Sequence, residues 1–299
     1  MRVTVTGATG LIGTRLVRAL RERGDEVTVL SRKPQRAGEA LGVEAAAWQP
    51  HAEFAPAEAL AGRDGVVHLA GENIAQRWTD EAKRAIHTSR ELGTRNLVAG
   101  LRAAEPRPGV LVSASGVDYY GDRGDEPVTE EAPPGDNWLA EVCVAWEREA
   151  AAAEELGVRV VRLRTAIALD KGGGALAKML PFFRLGVGGP VAGGRQYMPW
   201  IHADDLVAMY VAALDDAAWT GPVNAVAPDP PTNREFSRAL GRALHRPAFA
   251  PVPAFAIRLL YGQMADIVVH GRRAVPDRAR MLGFTYAHPD LDEALRDAT

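Results

Sequence analysis

The stretch "TVTGATGLIG" near the start of the chain is the feature that most constrains the fold. It places Gly7, Gly10 and Gly13 between an apolar run at residues 3–5 and a helical pattern at residues 11–23. One glycine permits a tight turn, one a close backbone approach to a pyrophosphate, and one close helix packing. A helix N-terminus also attracts phosphate. The turn therefore predicts a dinucleotide site, whose pyrophosphate would contact Gly7, Gly10, Leu11, Ile12 and Gly13. An ordinary tight strand–helix turn is the competing interpretation.

Short apolar runs alternate with helical patterns through the first half of the chain. The strand-like runs are residues 3–5, 27–30, 66–69, 110–112 and 158–163, and the helical patterns are residues 11–23, 80–104 and 138–156. Runs that are apolar almost throughout are typical of parallel strands covered on both faces. The alternation predicts an α/β fold with a doubly wound (Rossmann) parallel sheet.

The character of the sequence changes after residue 169. A Gly- and Pro-rich stretch without strong periodicity is followed by helical patterns at about 204–214, 233–244 and 253–260, with a strand-like run at 223–226. We therefore expect a nucleotide-binding domain over residues 1–169. Residues 170–299 would form a smaller substrate domain of mixed secondary structure. One of its elements could also extend the sheet of the first domain.

Composition excludes several classes of protein. The net charge of −3 gives no reason to expect nucleic acid or an anionic membrane as a partner, and no apolar run is long enough to span a bilayer. The single cysteine, Cys143, excludes an intramolecular disulfide and a cysteine-cluster metal site. The sequence holds no His-Glu-x-x-His or Walker motif, so no metal is expected. A cytoplasmic protein is the expectation, and the oligomeric state stays open.

The end of the second predicted strand indicates which dinucleotide is bound. An acidic residue there would hold the ribose 2′-hydroxyl of NAD, but this chain has Ser31, Arg32 and Lys33. A hydroxyl and two cations suit a 2′-phosphate, because charge-assisted hydrogen bonds to phosphate are strong. The sequence predicts NADP(H), with a solvated basic loop as the alternative.

The spacing Thr-Gly-x-x-Gly-x-x-Gly resembles the extended short-chain dehydrogenase/reductase family of sugar-nucleotide epimerases and dehydratases. "VVHLAG" is similar to the strand that ends beside the adenine and ribose, and "SASGVDYYG" to the strand end that supplies a catalytic Ser or Thr. More specifically, "HLAGENIAQRWT", "GGPVAGGRQYMPWIHADDL" and "RRAVPDRARMLGFTYAHPDLDEAL" resemble an epimerase-family subgroup of unassigned substrate. The last segment resembles its C-terminal domain of unknown function. The resemblance implies further cofactor contacts at Leu69, Ala70, Gly71, Glu72, Arg90 and Thr165. At Arg90, a substrate anion or a surface ion pair is the alternative.

The catalytic pair of that family is absent. In the family a Tyr exchanges a proton as hydride moves, and a Lys four residues later lowers the Tyr pKa and bonds the nicotinamide ribose. Alignment of "NWLAEVCVAWE" on Glu147 puts Leu139 and Cys143 at those places. Neither side chain can take over the role. None of the six tyrosines is followed by a Lys four residues on.

Substitutes for the pair are Ser115, Glu72 and Tyr119, each of which also has an ordinary structural interpretation. Candidate substrate residues are Arg195, Gln196, Trp200 and His202, which would bind a small polar or anionic molecule. Two functions stay open. One is an NADP(H)-dependent oxidoreductase or epimerase-like enzyme with a non-standard proton donor. The other is a non-catalytic protein that senses NADPH or binds a partner.

Overall fold

A seven-stranded sheet with only parallel pairings forms the centre of the computed structural model, which describes residues 1–259 and 261–299. Its order is β3-β2-β1-β4-β5-β7-β10. The described residues form eleven strands: β1 (Arg2–Thr6), β2 (Glu26–Ser31), β3 (Glu44–Ala47), β4 (Gly65–His68), β5 (Val110–Gly116), β6 (Pro127–Val128), β7 (Arg159–Thr165), β8 (Ile167–Leu169), β9 (Trp200–His202), β10 (Gly221–Ala225) and β11 (Arg273–Ala274). The order 3-2-1-4-5 with further strands beyond is that of a doubly wound fold. The predicted fold class is therefore confirmed.

Helices cover both faces of this sheet. They are α1 (Leu11–Glu22), α2 (Pro34–Leu41), α3 (Asp80–Ala103), α4 (Trp138–Ala151), α5 (Gly174–Arg184), α6 (Ala203–Asp215), α7 (Asn233–Ala243), α8 (Ala254–Tyr261), α9 (Asp266–Val269), α10 (Asp277–Met281) and α11 (Leu291–Asp297). Among the helices of the described residues, none combines the length and apolar character needed to cross a membrane.

Two apolar cores lie on the opposite faces of the sheet. One contains Val5 and Leu16 and packs β1 and β2 against α1 and α6. The other contains Leu97 and Leu111 and packs β4 and β5 against α3. The strands are apolar almost throughout because each one contributes side chains to both cores.

The register of the sheet brings three strand ends to one edge. Thr6 of β1 lies beside His68 of β4, which lies beside Ser113 of β5. The segments that follow these strands therefore meet at the carboxyl edge, where ligands bind in doubly wound folds.

The part of the chain beyond residue 169 is joined to the sheet rather than separate from it. β10 pairs with β7 over residues 221–225, so an element from beyond residue 169 extends the sheet. Two small sheets, β8–β9 and β6–β11, and a third core with Phe183 and Phe236 build the rest.

The structure also contains elements that the sequence patterns did not predict. α5 lies within the Gly- and Pro-rich stretch, where Leu176, Leu180 and Phe183 are buried at helical spacing. The three glycines at residues 172–174, the last of which begins the helix, and Pro181 inside it obscured that spacing. β3 was missed because its "EAAA" sequence has low strand propensity.

Candidate functional site

The turn between β1 and α1 carries the predicted glycines, and two of them have no room for a side chain. Gly7 has a φ of 68°, and a Cβ there would lie 2.6 Å from the backbone carbonyl carbon of Leu69. A Cβ on Gly13 would lie 2.4 Å from the carbonyl oxygen of Gly7. Gly10 is the exposed N-cap of α1 and provides no side-chain cap. The first-turn N–H groups of α1 are therefore accessible to an anion.

A cavity of about 270 Å³ opens in front of this turn. Its wall contains many of the residues predicted to bind the cofactor: Gly7, Gly10, Ser31, Arg32, Leu69, Ala70, Gly71 and Glu72. The other predicted contacts, in the described part of the chain, lie outside that wall: Leu11, Ile12, Gly13, Lys33, Arg90 and Thr165. The Thr165 hydroxyl donates to the Leu163 carbonyl at 3.2 Å, which is a backbone role. Open glycine backbone with a basic residue on the same wall fits the phosphates and ribose of a dinucleotide.

The basic end of the cavity is formed by the end of β2. Arg32 is exposed, and among the described residues it forms no ion pair. The Ser31 hydroxyl accepts the Lys33 backbone N–H at 3.1 Å, which fixes the turn into α2. No acidic side chain follows β2, so the turn presents positive charge alone.

Sequence reasoning missed one wall of the cavity, formed by Trp48, Pro50 and His51 directly after β3. Trp48 is buried, and its indole N–H donates to the Glu53 carbonyl at 3.1 Å. The wall was missed because β3 itself was not predicted. An isolated aromatic residue between alanines and a Pro-His turn is the signal that was present.

A neutral histidine supports the floor of the site. His68, the last residue of β4, lies between the hydroxyls of Thr6 at 2.7 Å and Thr94 at 3.0 Å. Burial, together with the charge of Arg90, lowers the pKa of His68 to about 4. The imidazole is therefore uncharged at neutral pH, and it joins β1, β4 and α3 beneath the cavity.

On α4, the two positions of the missing catalytic pair are filled by interior packing. Leu139 is 7% exposed and packs with Ile86 and Val142. Cys143 is 4% exposed, and burial raises the pKa of its thiol to about 12. Neither residue supplies a proton donor or a fixed charge at neutral pH.

The structure corrects the interpretation of Ser115 as a catalytic hydroxyl facing the site. Ser115 is buried, and its hydroxyl donates to Oε1 of Glu147 at 2.7 Å. The same carboxylate receives two hydrogen bonds from Arg164, at 2.8 and 2.9 Å. It is the next residue, Gly116, that lies beside Cys143, with its Cβ position 3.8 Å from the Cys143 sulfur. Ser115 therefore belongs to a buried ion-pair network.

Tyr119 is likewise held by this network. The guanidinium of Arg164 lies 3.6 Å from the centre of the Tyr119 ring, and Tyr120 packs edge-on against Tyr119. The Tyr120 hydroxyl accepts from Arg164 at 2.9 Å and donates to Asn224 at 2.6 Å. The Tyr119 ring therefore covers the buried arginine, a packing role.

Glu72 and Arg90 lie together at the wall that faces α4. The half-buried Arg90 donates to the carbonyls of Glu72 and Ile86, at 3.0 and 3.2 Å, and its guanidinium lies 4.9 Å from the centre of the Trp146 ring. In the described part of the chain no carboxylate bonds it, which excludes the surface ion pair. Burial lowers the pKa of Arg90.

Glu72 is half-buried and lines the cavity, and no described residue hydrogen-bonds its carboxylate.

The C-terminal part of the chain reaches the end of β5 through one ion pair. Arg272 is 6% exposed and bonds the carboxylate of Asp118, while the Gly271 N–H donates to Asp122 at 3.2 Å. These contacts fix the segment before β11 beside the short helical turn that follows β5.

The structure also corrects the interpretation of "GGRQYMPWIH" as a substrate-lining segment. The Gln196 amide donates to the carbonyls of Val191 and Val268, Trp200 is buried in the third core, and His202 is buried at the N-terminus of α6. Arg195 alone of the four predicted residues is exposed. The polar side chains of this segment largely point inward. The turns of the surrounding backbone leave buried carbonyl groups that need hydrogen-bond donors.

The fold and the glycine-rimmed cavity define a dinucleotide-binding protein of the Rossmann class. Residues 3–225 match the family described as "NAD dependent epimerase/dehydratase family", and residues 252–298 match a domain of unknown function, DUF1731. The chain belongs to the epimerase/dehydratase family and carries this additional C-terminal domain, as its sequence resemblance implied.

Named relatives extend over nearly the whole chain. An epimerase family protein of Arabidopsis thaliana, an SDR39U1 homolog described as chloroplastic, is 40% identical over 99% of this chain and 86% of its own length. A crystal structure of human epimerase family protein SDR39U1 with NADPH is 36% identical, has a TM-score of 0.89, and matches 100% of this chain and 99% of that one. UDP-glucuronic acid 4-epimerase from Bacillus cereus shares the fold at 15% identity and a TM-score of 0.79.

Proposed function

We propose that the protein binds NADP(H) and is an oxidoreductase or epimerase-like enzyme that acts on a small polar or anionic molecule. The observation that carries the proposal is the cavity with Gly7, Gly10 and Arg32 in its wall, where Arg32 forms no ion pair with any described residue. The human relative crystallised with NADPH, at 36% identity over the full chain, supports the choice of cofactor.

The residues present fit NADP(H) better than NAD(H). The phosphate-binding turn has the open backbone that a pyrophosphate needs, and Arg32 offers a guanidinium where an acidic residue would favour a 2′-hydroxyl. Ser31 holds the loop in place through its bond to the Lys33 N–H. Arg32 would therefore hold the 2′-phosphate, and the N-terminus of α1 would hold the pyrophosphate.

The positive charge of the missing Lys has a substitute in Arg90. Its guanidinium lies against Gly71 of the cavity wall, 3.3 Å from where a Cβ would be. Burial raises the pKa of the Cys143 thiol, and the charge of Arg90 opposes that rise, so Arg90 acts on the position of the missing Lys. Backbone carbonyls and the Trp146 ring hold it, and no described carboxylate forms an ion pair with it. Arg90 thus provides a fixed cation near the position of the lost ammonium.

Proton transfer is assigned to Glu72. When bound, the nicotinamide supplies or accepts a hydride. Reduction of a carbonyl then requires one proton at the substrate oxygen, and the reverse reaction returns that proton to the protein. Of the three candidates, Ser115 is committed to Glu147 and Tyr119 covers Arg164, whereas Glu72 lines the cavity and no described residue hydrogen-bonds its carboxylate.

The cofactor assignment is tested by titrating NADPH and NADH into the wild-type protein and Arg32→Glu. We expect at least a tenfold loss of NADPH affinity with little change for NADH, since the variant replaces attraction to the 2′-phosphate by repulsion. Lys33→Glu is the matched control outside the cavity wall, with a smaller expected loss. Equal losses for both cofactors would exclude the 2′-phosphate assignment.

The catalytic assignment is tested by following NADPH absorbance at 340 nm with a panel of carbonyl compounds. Turnover that disappears in Glu72→Gln but survives in Ser115→Ala supports an enzyme with Glu72 as proton donor. Leu139 and Cys143 in place of the catalytic pair favour a second function, an NADPH-sensing protein. Tight NADPH binding without turnover or epimerisation of any compound would support that second function.

A further inference from the structure

A second polar cluster lies away from the cavity, where the C-terminal segment meets α6. One ring nitrogen each of His202 and His288 and a carboxylate oxygen of Asp204 all lie within 4.8 Å of one another. The two imidazole rings lie side by side with centroids 3.8 Å apart and their planes tilted by 35°. We propose that His202, Asp204 and His288 form a binding site for a divalent transition metal of the zinc type.

The carboxylate of Asp204 is divided between two neighbours. Its Oδ1 accepts from Arg15 at 2.7 Å, whereas Oδ2 faces the histidines, 3.8 Å from Nδ1 of His202 and 4.0 Å from Nε2 of His288. Zinc ligands in a tetrahedral site lie roughly 3.3 Å from one another. The Asp204 side chain is 53% exposed, so its carboxylate has room to move towards the histidine nitrogens when an ion binds.

Asp297 orients the His202 ring for this role. Its carboxylate lies 3.2 Å from Nε2 of His202, which places the ring proton on that side and the lone pair on Nδ1. A carboxylate on the far nitrogen is the usual partner of a metal-bound histidine. Nδ1 of His202 accepts a hydrogen bond from the Asp204 backbone N–H. This bond would compete with a metal ion, and it is long at 3.3 Å.

The backbone of the second histidine is also fixed. Asp205, which is 1% exposed, accepts the N–H groups of Ala287 and His288 at 2.7 and 3.0 Å. His288 is therefore held opposite His202 by α6 itself, and its side chain remains 25% exposed, which gives an ion a path of entry.

The charge around the cluster is unbalanced. Asp204, Asp205 and Asp297 approach the two imidazoles, with Asp170 behind, and in the described part of the chain Arg15 is the cation that contacts this group. A dication offsets the excess negative charge. Two imidazoles and one carboxylate are a ligand set that zinc-type ions favour over magnesium, with one coordination position left for water.

The test measures metal content and thermal unfolding of the full chain after chelation and addition of ZnCl₂. We expect the wild-type protein and the control His270→Gln, an exposed histidine outside the cluster, to hold one zinc per chain and to unfold at a higher temperature than with chelator. MgCl₂ should cause no such rise.

His288→Gln should bind zinc at least tenfold more weakly and lose the rise in unfolding temperature. Asp204→Asn provides a second variant if His288→Gln does not fold, and Co²⁺ in place of zinc should show a visible absorption band that the folded variant lacks. Zinc uptake that both variants retain, or none in the wild-type protein, would overturn the proposal.

Discussion

The cofactor cavity and the face of α4 differ in how much of their volume side chains fill. At the cavity, Gly7, Gly10 and Gly13 have no side chains, and a volume of about 270 Å³ stays open. On α4, Leu139 and Cys143 fill the positions at which the wider family places its reacting groups. The comparison teaches that binding and chemistry are separable on this fold, because different elements carry them.

The two regions also differ in how they satisfy buried polar groups. Beneath the cavity, His68 is uncharged between two threonines. Behind α4, Glu147 and Arg164 form a buried ion pair that also engages Ser115. One region is therefore sensitive to the protonation of a histidine, and the other to the loss of a charge.

The largest expected effect is that of Glu147→Gln, which leaves Arg164 buried and uncompensated. We expect the free energy of unfolding to fall by about 3–5 kcal/mol, because the Arg164 charge would stay buried without the carboxylate that offsets its desolvation. NADPH affinity should stay within about twofold if the network is purely structural. Glu141→Gln, exposed on the same helix, is the control and should cost about 0.5 kcal/mol, measured by urea unfolding. Similar losses for the two variants would contradict the comparison.

The next effect is a pH dependence that arises from His68. Its folded-state pKa of about 4 lies below the unfolded value of about 6.5, so the unfolded chain binds a proton that the folded protein excludes. The stabilising contribution is complete above pH 6.5 and is lost as pH falls towards 4. Between pH 8 and 5 it amounts to about 2 kcal/mol.

Unfolding free energies of the wild-type protein and His68→Gln across this pH range test the prediction. The variant should show a shallower pH dependence, whatever its absolute stability, while His270→Gln should follow the wild-type curve. Parallel curves for wild type and His68→Gln would show that His68 is not the source of the dependence.

The smallest effect separates binding from stability at the glycine turn. A Cβ on Gly10 would touch only the Gly7 carbonyl oxygen, at 3.2 Å, so Gly10→Ala should fold with less than about 1 kcal/mol lost. NADPH affinity should fall by about tenfold, because the methyl group would stand where the pyrophosphate approaches.

Gly24→Ala gives the matched control. Gly24 has a φ of 89° and open space around it, so the variant should lose about 1 kcal/mol of stability and no cofactor affinity. Calorimetric titration with NADPH beside urea unfolding measures both quantities. A shared loss of affinity in the two variants would mean that the turn is disturbed indirectly.

The part of the candidate site that could be predicted is the part whose position is set by the backbone of the sheet. The glycine turn, the end of β2 and the segment after β4 lie around one cavity, because parallel strands end at one edge of a sheet. Side chains without such a rule were less predictable. Gln196 and Trp200 were expected to line a substrate pocket, yet they satisfy backbone carbonyls and fill a core.

By itself, the sequence determined the parallel fold, the phosphate-binding turn and the absence of the Tyr–Lys pair, since each depends on residues close together in the chain. The tertiary structure decided what Ser115, Arg90 and His202 contact. Their partners, Glu147, Trp146 and His288, come from other elements, up to 86 residues away in sequence. A side chain's role depends on such distant neighbours, and only packing of the complete chain sets them.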